Sequence, residues 1–358
     1  KELCEFPDWP LPDDAPNFTP GPYFQKYMEG YVDHFGFRDC IQFNTHVTKL
    51  EQCEDGWTVE TNGGDGSQRI DFDLVVIATG MFSNVANMPT FPGADEFEGT
   101  ILHNSELKAR NQLSGRRVAV VGYGKSASDA ALEAAAVAKD VHIIFRAAHW
   151  PVPRKLAGIL PIKWGALSRL AGAFLPPYQR PTPVQRWLHG VGKPIVWVYW
   201  RLVELIIRCQ YRLGTKIANG KNLLPTAPFQ FDAFGEATML PRPEFFPLVR
   251  KGRIQAHRTV IDHYTPTGVA LNDGAELDVD CVVLATGWKS DYSYLPDDAL
   301  AALGDDDDGI YLYRHILQPK LPNLAFVGRA TSFLSVLTFC LQARWLAELI
   351  TGRVKLPS

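Results

Sequence analysis

The chain has 358 residues, of which 46% are hydrophobic and 21% charged, and its formal net charge is −3. This composition excludes a disordered or fibrous chain and predicts a globular protein of about two domains with a large core. The six cysteines form no C-x-x-C pair and no zinc-type spacing, so we expect no redox dithiol, no metal site and a reducing, cytoplasmic setting. We also expect no nucleic-acid partner.

The first predicted element is a small antiparallel meander. Residues 47–80, VTKLEQCEDGWTVETNGGDGSQRIDFDLVVIATG, predict two strands, a polar turn and a buried Val-rich strand that ends in Ala78, Thr79 and Gly80. Glycine at such a strand end allows a ligand to approach closely or the backbone to take a positive φ. For one copy alone, an ordinary tight turn is an equal alternative.

A strand, a glycine turn and a helix follow in RRVAVVGYGKSASDAALEAA, residues 116–135. The apolar strand covers 118–121 and the alanine-rich helix runs to 137. In the resulting G-x-G-x-x-A motif, Gly122 forms the tight turn, Gly124 lets a pyrophosphate reach the backbone, and Ala127 is small enough for the helix to pack on the strand. Because free N–H groups at a helix N-terminus favour negative charge, this segment predicts a dinucleotide site.

Positive charge surrounds the predicted phosphate site. Lys125 and Ser126 begin the helix, and Arg146 follows the next predicted strand, VHIIF (141–145), where NAD sites carry an acid. A guanidinium in that place favours the 2′-phosphate of NADP. A solvated surface cation is the alternative interpretation of Arg146.

The middle of the chain is strongly basic. Residues 141–231 contain thirteen Lys and Arg and a single acid, Glu204, so this region attracts anions. Its amphipathic segment PIVWVYWRLVELIIRCQYRLG (194–214) predicts a helix that is too charged to span a membrane. Two interpretations stay open: a buried or subunit-facing helix, and a helix that makes residues 155–215 a peripheral membrane contact.

Two short segments resemble binding motifs but lack some of their features. GVGKPI (190–195) has the G-x-G spacing, but no apolar strand precedes it and Pro194 follows too soon for a regular helix interior, so it predicts a loop. The acidic run at 305–308, within LGDDDDGIYL, lacks the spaced ligands of a calcium loop and predicts a solvated turn.

The meander pattern occurs a second time. Residues 259–288 repeat it, and the two closing segments, DFDLVVIATG and DVDCVVLATG, agree at seven of ten positions. The second copy ends in Ala285, Thr286 and Gly287. Two copies in matching context favour ligand-binding strand ends over chance turns.

The C-terminal part predicts one more strand and a long helix. NLAFVG (323–328) is a short apolar strand that ends at Gly328, and SVLTFCLQARWLAELI (335–350) has the apolar spacing of a helix.

The stretch FPGADEFEGTILHNSEL contains Phe97, Gly99 and His103 in F-x-G-x-x-x-H spacing. With this motif and the segments above, the chain resembles the flavin-containing monooxygenase family. Leu107 stands where that family usually has an aromatic residue and the related Baeyer–Villiger enzymes have tryptophan, so it argues against the latter group. The resemblance spans nearly the whole chain, and residues 155–240 are its least distinctive part.

The resemblance implies an α/β flavoprotein with two dinucleotide-binding domains, built from Rossmann-like parallel sheets and small antiparallel meanders. It places an FAD domain in two pieces, 1–110 and 258–358, around an inserted NADP domain, 111–257. Family members begin with a strand, a G-x-G-x-x-G turn and a helix that bind FAD. This sequence is expected to start downstream of that unit.

The resemblance also implies roles for single residues. Beside the resemblance, the residues themselves predict that Val47, on the first meander strand, offers backbone groups to the adenine of FAD, and that the two Ala-Thr-Gly ends border the flavin and the interdomain cleft. The helix at 335–350 is expected to point its N-terminus at the flavin, with Gln342 and Arg344 serving there; a helix-face hydrogen bond or a salt bridge is the alternative for both. No catalytic side chain is assigned, and His103 is expected to be structural or to act at a hinge.

The implied reaction uses FAD, NADPH and O2 to oxygenate a soft nitrogen or sulfur nucleophile of a small molecule, as in N,N-dimethylaniline monooxygenases. Two alternatives stay open: an NAD(P)H-dependent flavoprotein reductase, and a non-catalytic NADP-binding remnant that associates with another chain. Association into an oligomer is left open as well.

Overall fold

The structure is a computed structural model that describes residues 4–16, 19–64, 66–80, 82, 85–165, 168–177, 180–217, 220–233, 239–304, 309–330 and 335–356. The chain divides into two compact units. The first unit combines Lys1–Val85 with Trp288–Ser358, and the second is Ala86–Gly287.

Helices and strands are numbered here in chain order. The helices are α1 (Gly21–Phe35), α2 (Lys125–Val137), α3 (Ile162–Gly165), α4 (Arg169–Ala173), α5 (Pro183–Leu188), α6 (Lys193–Tyr211), α7 (Phe229–Asp232), α8 (Phe245–Arg250), α9 (Asp297–Leu303) and α10 (Ser335–Ile350). The strands are β1 (His46–Gln52), β2 (Trp57–Gly63), β3 (Gly66–Phe72), β4 (Val75–Ile77), β5 (Thr100–His103), β6 (Arg117–Val121), β7 (Asp140–Ile144), β8 (Lys155–Leu156), β9 (Leu160–Pro161), β10 (Gln255–His257), β11 (Ile261–Thr265), β12 (Gly268–Leu271), β13 (Glu276–Asp278), β14 (Cys281–Leu284) and β15 (Leu324–Phe326).

The first unit contains an antiparallel meander and a short parallel pair. The meander has the order β1-β2-β3, and β4 pairs in parallel with β15. Both parts share a core around Trp57, which is fully buried and donates its indole N–H to the carbonyl oxygen of Pro322 at 3.0 Å. Burial of a large aromatic ring whose polar group is hydrogen-bonded stabilises the meander against the strand pair.

The second unit is built on a five-stranded parallel sheet of order β10-β7-β6-β14-β5. Successive side chains of a strand point to opposite faces, so its central strands bury both faces and read as nearly continuous apolar runs. On one face Val118, Val120 and Val283 pack with α2. On the other face Ala119 and Val282 pack with the meander β11-β12-β13.

Helix α2 lies close to the sheet because its buried face consists of small side chains. Ala127, Ala130, Ala131 and Ala134 are almost completely buried. Alanine adds little volume and has the strongest helix propensity, so the helix forms readily and its axis approaches the strands. This packing brings the N-terminus of α2 to the carboxyl edge of the sheet, where ligands of open α/β folds bind.

The two compact units and the predicted domains have different boundaries, and the domain assignment stays a prediction. The predicted inserted domain covers 111–257, whereas the second unit extends from residue 86 to residue 287. Strand β5 and the meander β11–β13 account for the difference, because β5 pairs with β14 and the meander covers the same sheet. Which cofactor each unit binds stays a prediction.

The segment GVGKPI is only in part the predicted loop. Gly190 and Val191 form a turn, but α6 begins at Lys193 with Pro194 in its first turn. Proline is tolerated there because the first N–H groups of a helix have no intrahelical acceptor. The predicted acidic turn at 305–308 lies outside the described residues, and no described helix is long and apolar enough to cross a membrane.

Candidate nucleotide-binding sites

In the second unit, the G-x-G turn connects β6 to α2 in the way that a phosphate site requires. Gly122 has a φ of 129°, and a side chain there would place its Cβ 2.6 Å from the carbonyl oxygen of Ala285. Gly124 is the N-cap of α2, where no side chain caps the helix and no atom lies within 4 Å of a built Cβ. An anion can therefore reach the first N–H groups of α2 along the backbone.

The predicted side chains around this turn have different surroundings. Ala127 is fully buried against the sheet, whereas Ser126 is exposed at the helix start. The ammonium group of Lys125 forms an ion pair with Asp129, four residues on. Lys125 is thus already partly neutralised, and its charge contributes less to an anion site than the sequence suggests.

Arg146 is exposed and directly follows β7, the strand beside β6. It forms no ion pair with any other described residue. Its guanidinium is therefore available to a ligand on the carboxyl edge of the sheet. A planar cation with several donors matches a phosphate monoester.

The second Ala-Thr-Gly end is held by a residue that the sequence analysis missed. Asn87 donates its side-chain amide to the carbonyl oxygen of Thr286 at 3.2 Å, and its backbone N–H to that of Gly287 at 2.9 Å. The hydroxyl of Thr286 donates to the carbonyl oxygen of Asn87. An asparagine far from β14 in sequence gives no local signal of this pairing.

Residues of the F-x-G-x-x-x-H motif also contact the segments before and after β14. Phe97 packs on Tyr264 with 5.2 Å between ring centroids, and a Cβ on Gly99 would lie 2.7 Å from the carbonyl oxygen of Asp280. His103 is buried, with its Nε2 3.0 Å from the carbonyl oxygen of Gly287. These contacts support the structural role expected of His103.

In the first unit, four of the residues predicted to lie at FAD line a cavity of about 540 Å³. Val47 from β1 lines it together with Ala78, Thr79 and Gly80 at the end of β4. A cavity of this size is in the usual range for small-molecule sites. These residues form one wall of the cavity, and the assignment of FAD to it stays a prediction.

The opposite wall contains residues that the sequence analysis missed. The guanidinium of Arg329 lies 5.5 Å from the ring centroid of Tyr292 and donates to the hydroxyl of Ser290 at 3.3 Å. Burial raises the pKa of Tyr294 to about 12, so its hydroxyl is protonated at neutral pH. The one signal for this wall in the sequence was Arg329, a cation directly after Gly328.

Gly328 and Gln342 form a separate, hydrogen-bonded group at the end of β15. Gly328 has a φ of 90°, and a Cβ there would lie 3.7 Å from the Cα of Gly80, so the two strand ends are adjacent. The side-chain oxygen of Gln342 accepts from Gly328 N–H at 3.2 Å, and its amide nitrogen donates to the carbonyl oxygen of His315 at 3.0 Å. Arg344 is exposed and pairs with Glu348.

The two units differ at the strands that end in Ala-Thr-Gly. In the second unit β14 lies between β6 and β5, whereas among the described residues β4 has the single neighbour β15. Val76 of β4 is 40% exposed, and Val283, its counterpart in the repeat, is 0% exposed. In the second unit, β6 pairs with one edge of β14 and α2 covers the sheet there. Among the described residues of the first unit, the corresponding edge of β4 is unpaired.

Solved structures of similar fold support this architecture. The crystal structure of Tmm from Pelagibacter sp. strain HTCC7211 matches 100% of this chain and 60% of its own with a TM-score of 0.63 at 20% identity. The complex of OTEMO with FAD and NADP matches 97% of this chain and 73% of its own with a TM-score of 0.66 at 19% identity. The predicted fold, an α/β flavoprotein with two dinucleotide-binding domains, is confirmed.

Curated relatives carry the same family name. Flavin-containing monooxygenase 3 of Rattus norvegicus is 29% identical over 100% of this chain and 64% of its own length. Flavin-containing monooxygenase 1 of Sus scrofa is 27% identical over 100% of this chain and 63% of its own length. The chain thus spans less than two thirds of the length of these relatives.

A model of the family described as flavin-binding monooxygenase-like matches residues 1–189 and 246–358. The match covers most of both units and leaves out residues 190–245, which include α6 and α7. The chain belongs to the flavin-binding monooxygenase-like family.

Proposed function

We propose that this chain holds NADPH and one wall of the FAD site in an enzyme that oxygenates a soft nitrogen or sulfur atom of a small molecule with O2. The observation that carries the proposal is the open glycine turn at the start of α2, on the carboxyl edge of a five-stranded parallel sheet. Family membership supports the same cofactors and the same class of reaction.

The residues of the second unit fit NADPH. Gly122 permits the tight turn against Ala285, and Gly124 leaves the backbone open to a pyrophosphate. The first turn of α2 supplies N–H donors and the positive end of its dipole. Arg146 supplies a cation for the 2′-phosphate at the end of the neighbouring strand. Thr286 and Gly287, fixed by Asn87, border the same edge.

The residues of the first unit fit one side of FAD. Gly80 and Gly328 have positive φ and lie side by side, so a ring system can approach the backbone there. Arg329 offers a positive charge within the cavity. We propose that the strand of a G-x-G-x-x-G unit pairs with the open edge of β4, in the way that β6 pairs with β14. This unit would supply the residues on the other side of FAD.

When bound, FAD accepts hydride from NADPH and activates O2. The chain's own residues bind and orient the nucleotides, so no dedicated acid–base pair among them is required. Sulfur or nitrogen as the oxygenated atom agrees with a neighbour named S-allyl-L-cysteine S-oxygenase from Allium sativum, which has a TM-score of 0.63 at 20% identity. Leu107, in place of tryptophan, favours this class over ketone oxygenation.

The experiment supplies N,N-dimethylaniline or a thioether to the chain carrying an N-terminal strand–turn–helix unit, with FAD, NADPH and labelled O2. We expect one labelled oxygen atom in the N-oxide or sulfoxide, detected by mass spectrometry, for each NADPH oxidised. NADPH oxidation that reduces quinones or ferredoxin without labelled product would instead support the reductase alternative.

The cellular setting is a separate part of the proposal. All six cysteines are free thiols, which supports a reducing compartment such as the cytoplasm. A peripheral membrane contact through residues 155–215 does not depend on the cofactors, and its basis is the surface of α4 to α6.

A further inference from the structure

The second unit exposes many large apolar side chains on three neighbouring helices. Helix α4 contacts α5, and α5 contacts α6. We call the following exposed side chains of these helices and of the turn before α6 the apolar face: Leu170, Val184, Trp187, Val191, Ile195, Trp197, Val198, Leu202 and Leu205. Exposed apolar side chains concentrated on adjoining helices favour a site of interaction with a protein or a membrane.

The centre of the apolar face is a regular stripe along α6. Ile195, Val198, Leu202 and Leu205 are 48%, 47%, 53% and 53% exposed. Their spacing of three, four and three residues places them on one side of the helix. No charged residue interrupts this stripe.

The opposite side of α6 is firmly packed in the core. Trp200 and Ile207 are buried, and the indole N–H of Trp200 donates to the carbonyl oxygen of Phe174 at 3.0 Å. Val196 and Val203 pack against the same core. The helix is therefore apolar on two sides, and the core of its own unit uses only one of them.

Positive charge accompanies the apolar face. The exposed cations of this region include Arg169, Arg180, Arg186, Lys193, Arg208 and Arg212. The region's single acid, Glu204, is turned inward, because its carboxylate pairs with Arg201 at 2.5 Å and accepts the backbone N–H of Phe229 at 2.9 Å. The solvent-facing charge of α4 to α6 is thus entirely positive.

We propose that the apolar face binds an anionic lipid membrane, with its leucines and tryptophans among the headgroups and upper acyl chains and its arginines on the lipid phosphates. Interfacial amphipathic helices combine the same features, with aromatic and leucine side chains on one face and basic residues at its edge, and enter the boundary by about 5–10 Å. Residues 190–245, which include α6, lie outside the family match.

Charge complementarity decides between a membrane and a second copy of the chain. A two-fold dimer through α6 would bring two positive surfaces together, with the acid of each already engaged inside its own subunit. An anionic bilayer supplies negative charge along the whole face. Lys and Arg side chains near such a surface are attracted to its anionic lipids.

The test measures co-sedimentation of the full chain with phosphatidylcholine vesicles that contain or lack phosphatidylglycerol, at low and high salt. We expect binding to the anionic vesicles that weakens with salt. The double variant Leu202→Glu/Leu205→Glu should bind at least about tenfold more weakly, because it places two charges in the apolar stripe. Arg186→Gln/Arg208→Gln should weaken binding to the anionic vesicles only.

The matched control is Leu341→Glu/Ile350→Glu on α10, where the two side chains are 60% and 58% exposed. It should bind like the unmodified chain, and circular dichroism should show the same thermal unfolding for all variants. Brominated lipids should quench tryptophan fluorescence of the unmodified chain.

Four results would overturn the proposal: no sedimentation with anionic vesicles at low salt, equal binding by the α6 and α10 variants, sedimentation without quenching, or a dimer that the α6 variant dissociates and that binds no vesicles. The last result would identify a second copy as the occupant of the apolar face. None of these readouts involves FAD or NADPH, so failure here leaves the proposed function standing.

Discussion

Single residues decide which nicotinamide dinucleotide the second unit prefers. Lys125 is tied to Asp129, whereas Arg146 has no ion pair with another described residue and lies at the end of β7. Of the two predicted cations, only Arg146 is therefore free to pair with a 2′-phosphate.

Replacement of this guanidinium should separate the two cofactors. For Arg146→Ala we expect NADP⁺ to bind about 10- to 100-fold more weakly, the loss of one charge-assisted pair, and NAD⁺ to bind as before. Isothermal titration with both nucleotides measures this. Lys251→Ala, which removes another exposed cation of the same unit, is the control; an equal loss for NAD⁺ would contradict the assignment.

Two neighbouring strands of the second unit carry a buried histidine pair. His142 on β7 and His257 on β10 are 8% and 6% exposed, and their Nδ1 and Nε2 atoms are 3.1 Å apart. Burial and the adjacent His142 lower the pKa of His257 to about 4, and burial lowers that of His142. Asp140 and Asp273 oppose these shifts more weakly.

This pair should make the stability of the second unit depend on pH. An unfolded histidine has a pKa of about 6.5, so between about pH 6.5 and 4 the unfolded state binds more protons and the folded state loses stability as pH falls. The pKa shift of His257 corresponds to about 3 kcal/mol. Urea denaturation at pH 7.5 and 5 should show the loss.

The variant His257→Asn should flatten this dependence, whereas His263→Asn, at an exposed position of β11, should keep it. Asp280 does not interfere, because Arg117 lowers its pKa to about 2 and the stability it contributes is lost only well below pH 5. Equal pH dependence of the unmodified chain and His257→Asn would exclude the pair as its source.

Across the whole molecule, the two copies of the internal repeat place their closing strands, β4 and β14, in different surroundings. The middle of β14 is sealed, with Val283 between β6 and β5 and the helix α2 above it. The equivalent Val76 of β4 is exposed beside the cavity. An open parallel edge with an apolar face is a natural acceptor for another strand and helix.

Supplying that unit should create FAD affinity without changing the other site. We expect the chain with an N-terminal strand, G-x-G-x-x-G turn and helix, for example from the rat relative, to bind FAD at least about 100-fold more tightly than the chain alone, while NADP⁺ affinity stays within about twofold. Flavin fluorescence quenching and isothermal titration measure the two affinities.

In the extended protein, Val76→Glu should lower FAD affinity again, because a buried unpaired carboxylate would oppose the added helix. Ile70→Glu, at an exposed position of β3, should not. If the extension leaves FAD binding unchanged, or if both variants behave alike, the open edge is not the acceptor.

The sequence by itself determined the features that depend on neighbours along the chain. The strand–turn–helix of β6 and α2, the span of α10 and the two meanders follow from local periodicity, from glycine at positive φ and from the matching Ala-Thr-Gly ends. Val47 and Thr79 line the same cavity although they belong to different sheets, Val47 on β1 of the meander and Thr79 directly after β4 and Ala78.

Only the tertiary structure decided what distant segments do to one another. His103 meets Gly287 across 184 residues, and the side-chain amide of Gln342 accepts a hydrogen bond from Gly328 N–H and donates one to the carbonyl oxygen of His315. The tertiary structure also determines which side of α6 is buried. The sequence does not show this, because two sides of the helix are apolar. Long-range pairing and burial depend on how complete surfaces fit together, and no local period records that.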